Sequence, residues 1–341
     1  MTTLYKEKTR CSVCGAESGY DVIGSTNAFG SPDLDSRPPE MKRSTIFAWV
    51  QRCPECGYCA SNVSKSRPGS GVVVKGKEYK GQLNDPEYPE LANSFLCEAI
   101  VEQKAKDYAA ATWALIHAAW VCDDSDRLAQ AKVCRTKAAK MLLIAEEHGQ
   151  KVAKQEGAST ALLAELLRRA GRSEDAQKLI AERRGGITED IIAQVLDFET
   201  TLLDKNDVSC HTIAEAEALG CDVLIVEDEP SYVILVGDMI RSRFPNLKIR
   251  SAEDGFEGLK KAKGLKPRIV WTGVKMPQMD GLEMIDLIRQ DPDLQNTRII
   301  LCTASYTKNV KKRALDLGID RFFPKPFKIE EALSAIADCL L

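Results

Sequence analysis

Five short apolar stretches alternate with helical stretches over the last third of this 341-residue chain. Each apolar stretch has the length of a buried strand, and apolar residues at helical spacing follow it. The predicted strands are 222–226, 247–251, 268–272, 298–303 and 321–324, and the predicted helices are about 231–243, 254–263, 282–290, 308–317 and 329–340. Five consecutive βα units predict a doubly wound parallel sheet, whose functional residues collect beyond the carboxyl ends of its strands.

Polar residues stand at several of these strand ends. Glu227 and Asp228 follow the first strand, Thr303 ends the fourth, and Lys325 follows the fifth. A carboxylate pair suits a hard divalent cation, while a hydroxyl and an ammonium suit a phosphoryl group. The alternative is a solvated acidic turn, an ordinary strand threonine and a surface lysine. Suitable residue types stand at several strand ends in succession, which argues against coincidence.

With the motifs LIVEDEP, KMPQMDG, LCTAS and FFPKPF, residues 221–341 resemble the receiver domain of bacterial two-component response regulators. The resemblance implies a multidomain protein ending in an α/β flavodoxin-like (βα)5 domain. It also implies Mg²⁺ binding by Glu227, Asp228 and the backbone carbonyl of Lys275. In this scheme an aspartate after the third strand takes the phosphoryl group, and Thr303 and Lys325 contact that group. Phe322 occupies the aromatic position that reports activation.

The acceptor position departs from the family pattern. Counting back from Met276 and Pro277 places it at residue 273, which is Gly273. Glycine has no side chain to phosphorylate, the neighbouring Thr272 alternates to the other face of the strand, and Asp280 is explained as a helix N-cap. We therefore expect a pseudo-receiver with weakened Mg²⁺ affinity, in which Lys325 turns toward the acid pair. A functional acceptor using a non-standard residue is the alternative.

Two Cys-x-x-Cys-Gly motifs mark the N-terminal region. Cys11, Cys14, Cys53 and Cys56 predict one closed, structural four-thiolate Zn²⁺ site, and Cys59 is the alternative ligand or a bystander. Only short strands are expected here, including one through STIFAWVQR that leads into the second motif. Residues 5 to about 63 resemble an uncharacterised bacterial zinc-ribbon family in which TPR-like helices often follow.

The middle of the chain is rich in helix-forming residues. KDYAAATWALIHAAW (106–120) and RRAGRSEDAQKLIAE (168–182) resemble the turn and second helix of a tetratricopeptide unit, with a generic array of α-hairpins as the alternative. Either arrangement favours a concave protein-binding surface over an active site.

These observations predict a zinc-ribbon-like domain (1–88), a TPR-like helical domain (89–206), a linker (207–220) and a receiver-like domain (221–341). The net charge is −3 and no region is strongly basic, which makes nucleic acid an improbable partner, although a nucleic-acid-binding ribbon is an alternative function. We expect neither a signal peptide nor a membrane span, and hence a cytoplasmic location with reduced cysteines. The expected function is a non-enzymatic signalling adaptor in a phosphorelay-type system. It would contact protein partners through the helical array and the receiver face.

Overall fold

A computed structural model describes residues 2–155, 157–187, 190–217, 220–304 and 307–340. The chain divides into two compact units. The first comprises Met1–Glu182 and Glu199–Ala214, and the second comprises Arg183–Phe198 and Glu215–Leu341. Residues 183–198 therefore group with the C-terminal unit.

The first unit begins with two small antiparallel sheets. Strands β1 (Thr3–Arg10) and β2 (Glu17–Ser25) form one, and β3 (Gln51–Arg52) and β4 (Cys59–Ala60) form the other. Two short helices follow, α1 (Ser70–Val73) and α2 (Lys77–Leu83). The expectation of only short strands is wrong for β1 and β2, which have eight and nine residues.

The expectation of a strand through STIFAWVQR is also wrong. Residues Arg43–Ala48 form a 3-10 helix, and only Gln51–Arg52 pair as a strand. The Thr45 hydroxyl donates to the carbonyl of Lys42 at 2.7 Å, and the Trp49 indole donates to the Thr45 Oγ1 at 3.0 Å. Such local side-chain bonds stabilise a turn in competition with strand pairing.

Helices make up most of the rest of the first unit. Most of them lie within the helical region that the sequence predicted. They are α3 (Glu90–Lys104), α4 (Tyr108–Asp124), α5 (Leu128–Glu147), α6 (Ala158–Arg169) and α7 (Ser173–Arg183). Two further helices, α8 (Asp190–Asp204) and α9 (Ile213–Glu217), have residues in both units, with 199–204 and 213–214 in the first and 190–198 and 215–217 in the second. Helix α4 packs against both α3 and α5. The buried Arg168 donates to Glu199 at 2.7 Å and to the carbonyls of Asp207 and Ser209 at 2.6 and 3.0 Å. These bonds fix the chain after α8 to α6.

The second unit contains the predicted parallel sheet. Its elements are β5 (Val223–Val226), α10 (Pro230–Arg243), β6 (Ile249–Ala252), α11 (Gly255–Leu265), β7 (Ile269–Thr272), α12 (Gly281–Gln290), β8 (Arg298–Thr303), α13 (Lys308–Asp316), β9 (Arg321–Pro324) and α14 (Ile329–Leu340). The strand order is β6-β5-β7-β8-β9, with every pair parallel. Buried apolar clusters cover both faces of the sheet. The doubly wound, flavodoxin-like architecture is thereby confirmed.

Residues 183–198 are joined to this sheet by a buried ionic contact. Arg250 on β6 is fully buried, and its Nη1 lies 3.2 Å from the Oδ2 of Asp197 on α8. The Nε of Arg184 lies 3.2 Å from the Oδ1 of the same carboxylate. One aspartate therefore pairs with two arginines inside the second unit. Among the helices of the described ranges, none combines the length and apolar character needed to cross a membrane.

Candidate functional site

The strand ends bring the predicted site residues of the second unit to one edge of the sheet. Glu227 follows β5, Gly273 follows β7, Thr303 ends β8 and Lys325 follows β9. All of these strands are parallel, so their carboxyl ends share an edge. Glu227 is buried, with 5% of its surface exposed, whereas the neighbouring Asp228 is exposed.

An ion pair occupies the centre of this edge. The Lys325 Nζ lies 2.7 Å from the Glu227 Oε2, which is the direction expected for this lysine from the sequence. The same ammonium lies 3.6 Å from the centroid of the Tyr232 ring on α10, a cation–π distance. The Tyr232 hydroxyl in turn lies 3.6 Å from the Cys302 Sγ. A carboxylate and an aromatic face therefore both hold Lys325 in place.

The Glu227 carboxyl has a pKa raised above its usual value. Burial is the largest cause, because it disfavours the charged form, and the neighbouring Asp228 acts in the same direction. The Lys325 ammonium lowers this pKa and offsets part of the shift. The ion pair thus stabilises a carboxylate that its surroundings would otherwise neutralise.

The Glu227 carboxylate also covers residue 273. A Cβ atom placed on Gly273 would lie 3.1 Å from the Glu227 Oε2, closer than ordinary van der Waals contact. The Thr272 hydroxyl donates to the Gly273 carbonyl at 2.9 Å. Asp280 accepts from the backbone N–H of Glu283 at 2.8 Å and caps α12, as predicted. Glu227 is therefore the carboxylate nearest to the space that a side chain at 273 would occupy.

The arrangement of the acid pair does not fit a resident Mg²⁺ ion. Mg²⁺ needs several oxygen ligands, but an ammonium already occupies the inner oxygen of Glu227. A metal ion bound to this oxygen would have to displace Lys325.

Thr303 and Phe322, two further residues named by the receiver resemblance, belong to the strands β8 and β9 that end at this edge. Thr303 is buried, and its carbonyl accepts from the Lys325 backbone N–H at 2.9 Å. Phe322 is half-buried and packs against the apolar cluster on one face of the sheet, with the Lys311 Nζ 6.0 Å from its ring centroid. The Lys325-Pro326 peptide bond is cis. Phe322 is thus a packing residue in this structure.

The first unit contains a separate cluster of four cysteines, and these are the four predicted from the sequence. The Sγ atoms of Cys11, Cys14, Cys53 and Cys56 all lie within 4.8 Å of one another. The Cys11–Cys56 and Cys14–Cys53 Sγ distances are 3.7 and 3.6 Å. A tetrahedral zinc with about 2.3 Å bonds separates its sulfur ligands by about 3.8 Å. The donor set and its spacing therefore fit Zn²⁺.

Both cysteine motifs have the same backbone geometry. The N–H of Gly15 donates to the Cys11 carbonyl at 2.8 Å, and the N–H of Gly57 donates to the Cys53 carbonyl at 2.9 Å. Both glycines have positive φ, +82° and +74°, a conformation that other residues rarely adopt. Cys59 lies outside the cluster, where its buried thiol donates to the Gly57 carbonyl at 3.3 Å. These features position two thiols from each motif toward one point.

Sequence reasoning missed two parts of the edge around Glu227. It did not identify Tyr232, although an aromatic residue in the helical turn after the acid pair was a visible signal. It also missed Ile191 and Gln194 of α8, which line a cavity of about 610 Å³ beside Glu227 and Asp228. No local pattern in the sequence connects α8 with this cavity.

Comparison with known proteins places this domain in a family. Residues 223–337 match the response regulator receiver domain. The chain is 32% identical over 114 residues to the probable chemotaxis protein CheY of Rhizobium etli, which covers 33% of this chain and 88% of that protein. It is 30% identical over 118 residues to hybrid signal transduction histidine kinase D of Dictyostelium discoideum, covering 35% of this chain and only 7% of the kinase.

Among solved structures, chemotaxis protein CheY4 of Vibrio cholerae is similar at 25% identity and a TM-score of 0.33, over 35% of this chain and 98% of that chain. The match to CheY of Rhizobium etli covers most of that single-domain relative. Through residues 223–337, the chain belongs to the response regulator receiver family.

Proposed function

We propose that this protein is a two-component signalling adaptor whose receiver domain does not accept a phosphoryl group. The observation that carries the proposal is the 2.7 Å contact between Lys325 and Glu227 over Gly273. A receiver needs a free carboxylate at this edge, a divalent cation, and a lysine available to the phosphoryl oxygens. Here residue 273 has no carboxylate, and the lysine is already paired with Glu227.

A domain of this kind acts through its surface. It is not an enzyme in this proposal, and the helical array and the receiver face bind protein partners in the cytoplasm. The cysteine cluster is a zinc-ribbon-like structural Zn²⁺ site, because four thiolates leave no open coordination position for catalysis. The helices that follow form a TPR-like array. Mg²⁺ is at most a weak ligand, and nucleic acid is not a partner.

A phosphoacceptor that uses Glu227 is the second candidate function. Its support is the position of the Glu227 carboxylate, beside the space where a side chain at 273 would lie. Two properties oppose it. The carboxylate is engaged by Lys325, and burial raises its pKa above the usual value.

Incubation of the full chain with acetyl phosphate and Mg²⁺, followed by intact-mass analysis, tests the proposal. The adaptor proposal expects an unmodified chain. A hydroxylamine-sensitive phosphoryl adduct in the C-terminal third would contradict it. Loss of that adduct in Glu227→Gln, but not in Thr272→Val, would assign the acceptor to Glu227.

A further inference from the structure

A groove of about 750 Å³ opens in the first unit among α2, α3, α4 and α5. Its surface is mainly apolar, and the apolar side chains that line it are Leu96, Ala99, Ile100, Leu115, Met141 and Ile144. Ile100 and Ile144 are half-buried, so part of this apolar surface faces outward. The volume is in the range of sites that bury a ligand or the side chains of a partner.

Two helices form the walls of the groove. Residues 96–103 of α3 and residues 137–144 of α5 line it, and Leu115 of α4 lies between these walls. Eight helical residues correspond to about two turns, or about 11 Å. A groove of this length fits one face of a two-turn helix with apolar residues at i, i+3, i+4 and i+7. The walls are helices, whose backbone groups are internally bonded, so they do not offer a strand edge for pairing.

The charges around the groove are unevenly distributed. Lys137 and Lys140 stand on the α5 wall and are exposed, and Lys77 lies at the start of α2. Across the portion of the chain described, no carboxylate forms a salt bridge with any of these three lysines. The two carboxylates at the rim belong to the α2 side, where Glu78 lies 3.8 Å from Lys104. The charged side chains that α5 contributes to the groove, Lys137 and Lys140, are therefore both positive.

We propose that this groove binds an amphipathic helix of a partner protein whose apolar face is flanked by acidic residues. The apolar floor would bury the partner's leucine-like side chains, and the α5 lysines would face its carboxylates. The inference rests on the assignment of partner binding to the helical array. It does not depend on the state of the edge around Gly273, which belongs to the other unit.

Fluorescence anisotropy with the full chain tests this inference. The probes are two fluorescein-labelled helical peptides with leucine at i, i+3, i+4 and i+7, one flanked by glutamates and the other by lysines. We expect about ten-fold tighter binding of the glutamate peptide at low salt, with the preference declining as salt is added. Lys137→Glu with Lys140→Glu should reverse the preference, and Lys137→Arg with Lys140→Arg should preserve it.

Lys132→Glu is the matched control. Lys132 is an exposed lysine on α5, about 140° around the helix from Lys137, and does not line the groove. It should leave both affinities unchanged, as should Gly273→Asp, which separates a failure here from a failure of the pseudo-receiver proposal. Circular dichroism confirms that each variant keeps its helical content.

Three results would overturn the inference. The first is equal affinity for the two peptides, or affinities that charge reversal at Lys137 and Lys140 leaves unchanged. The second is a charge reversal that dissociates an oligomer in sedimentation, which would assign the groove to a second copy of this chain. The third is tighter binding of decanoate than of the glutamate peptide, which would assign it to a small amphipathic anion.

Discussion

The Lys325 Nζ lies 2.7 Å from the Glu227 Oε2, and this ion pair connects the chain after β9 with the chain after β5. The pair stands beside Gly273, where an added Cβ would lie 3.1 Å from the Glu227 Oε2. The two charges of this pair neutralise each other. We propose that this pair has a structural role and holds the receiver domain in one state.

Lys325→Met should destabilise the second unit, and more at high pH than at low pH. Burial raises the pKa of Glu227 and the Lys325 ammonium lowers it, so removal of the ammonium raises that pKa further. A carboxyl with a folded pKa above its unfolded pKa binds more protons when folded, so stability falls as pH rises between those values. We expect a loss of about 2 kcal/mol near pH 8 and a smaller loss near pH 5, measured by urea unfolding.

Lys328→Met provides the comparison for this substitution. The Lys328 Nζ lies 2.9 Å from the Glu331 Oε1, but both side chains are largely exposed. Its removal should leave the stability unchanged at both pH values. Equal losses for the two lysine variants would contradict a structural role for the pair of Lys325 and Glu227.

Cys11→Ser or Cys53→Ser should remove most of the zinc bound per chain. Each substitution takes one thiolate from a four-sulfur cluster whose Sγ atoms lie within 4.8 Å, and a structural zinc site contributes directly to folding. Metal content measured by plasma emission spectrometry should fall from one zinc per chain. Cys59→Ser should keep its zinc, because Cys59 lies outside the cluster. Loss of zinc from Cys59→Ser would show that the ligand set is different.

Asp197→Ala should destabilise the second unit through Arg250. The Arg250 side chain is fully buried, and its Nη1 lies 3.2 Å from the Asp197 Oδ2. Removal of the carboxylate leaves a buried charge without its partner, at an expected cost of about 2–3 kcal/mol in the calorimetric unfolding of this unit. Adding Arg250→Met should recover part of this loss.

The control for that experiment is Asp238→Ala. Asp238 pairs with Arg241 at 3.2 Å, but its side chain is half exposed. Its loss should cost less than about 0.5 kcal/mol. If Asp197→Ala cost as little as Asp238→Ala, residues 183–198 would contribute little to the stability of the receiver domain.

Local patterns in the sequence predicted much of this structure. The short apolar runs of the second unit predicted all five strands of its sheet, because parallel strands buried on both faces consist almost entirely of apolar residues. The spacing of the cysteines predicted the cluster, and the Asp-Gly pair predicted the N-cap at Asp280. In each case the signal lies within a few consecutive residues.

Contacts between distant residues were not predictable in this way. Asp197 and Arg250 are 53 positions apart, and no pattern in either segment indicates the other. The position of the Tyr232 ring under Lys325 depends on how α10 packs against the sheet. The 3-10 helix at Arg43–Ala48 was missed because hydrogen bonds of Thr45 and Trp49 outweighed an apolar pattern that favoured a strand. Tertiary packing and side-chain bonding decided these features.

Gly273→Asp should make the second unit sensitive to Mg²⁺. The new Cβ would lie 3.1 Å from the Glu227 Oε2, and a third carboxylate would join Glu227 and Asp228. Without metal, like-charge repulsion should lower the stability by about 1–3 kcal/mol, and Mg²⁺ should restore it saturably. Gly273→Ala controls for the added Cβ and should show no dependence on Mg²⁺. A Gly273→Asp variant indifferent to Mg²⁺ would contradict the proposed geometry of the edge.

The most direct test of the central claim compares the natural chain with Gly273→Asp after incubation with acetyl phosphate and Mg²⁺. Intact-mass analysis counts the phosphoryl groups on each chain, and hydroxylamine treatment identifies acyl phosphates. We predict no phosphoryl group on the natural chain and one on Gly273→Asp, where a carboxylate again stands after β7. A hydroxylamine-sensitive phosphoryl group on the natural chain, located in residues 221–341, would contradict the account.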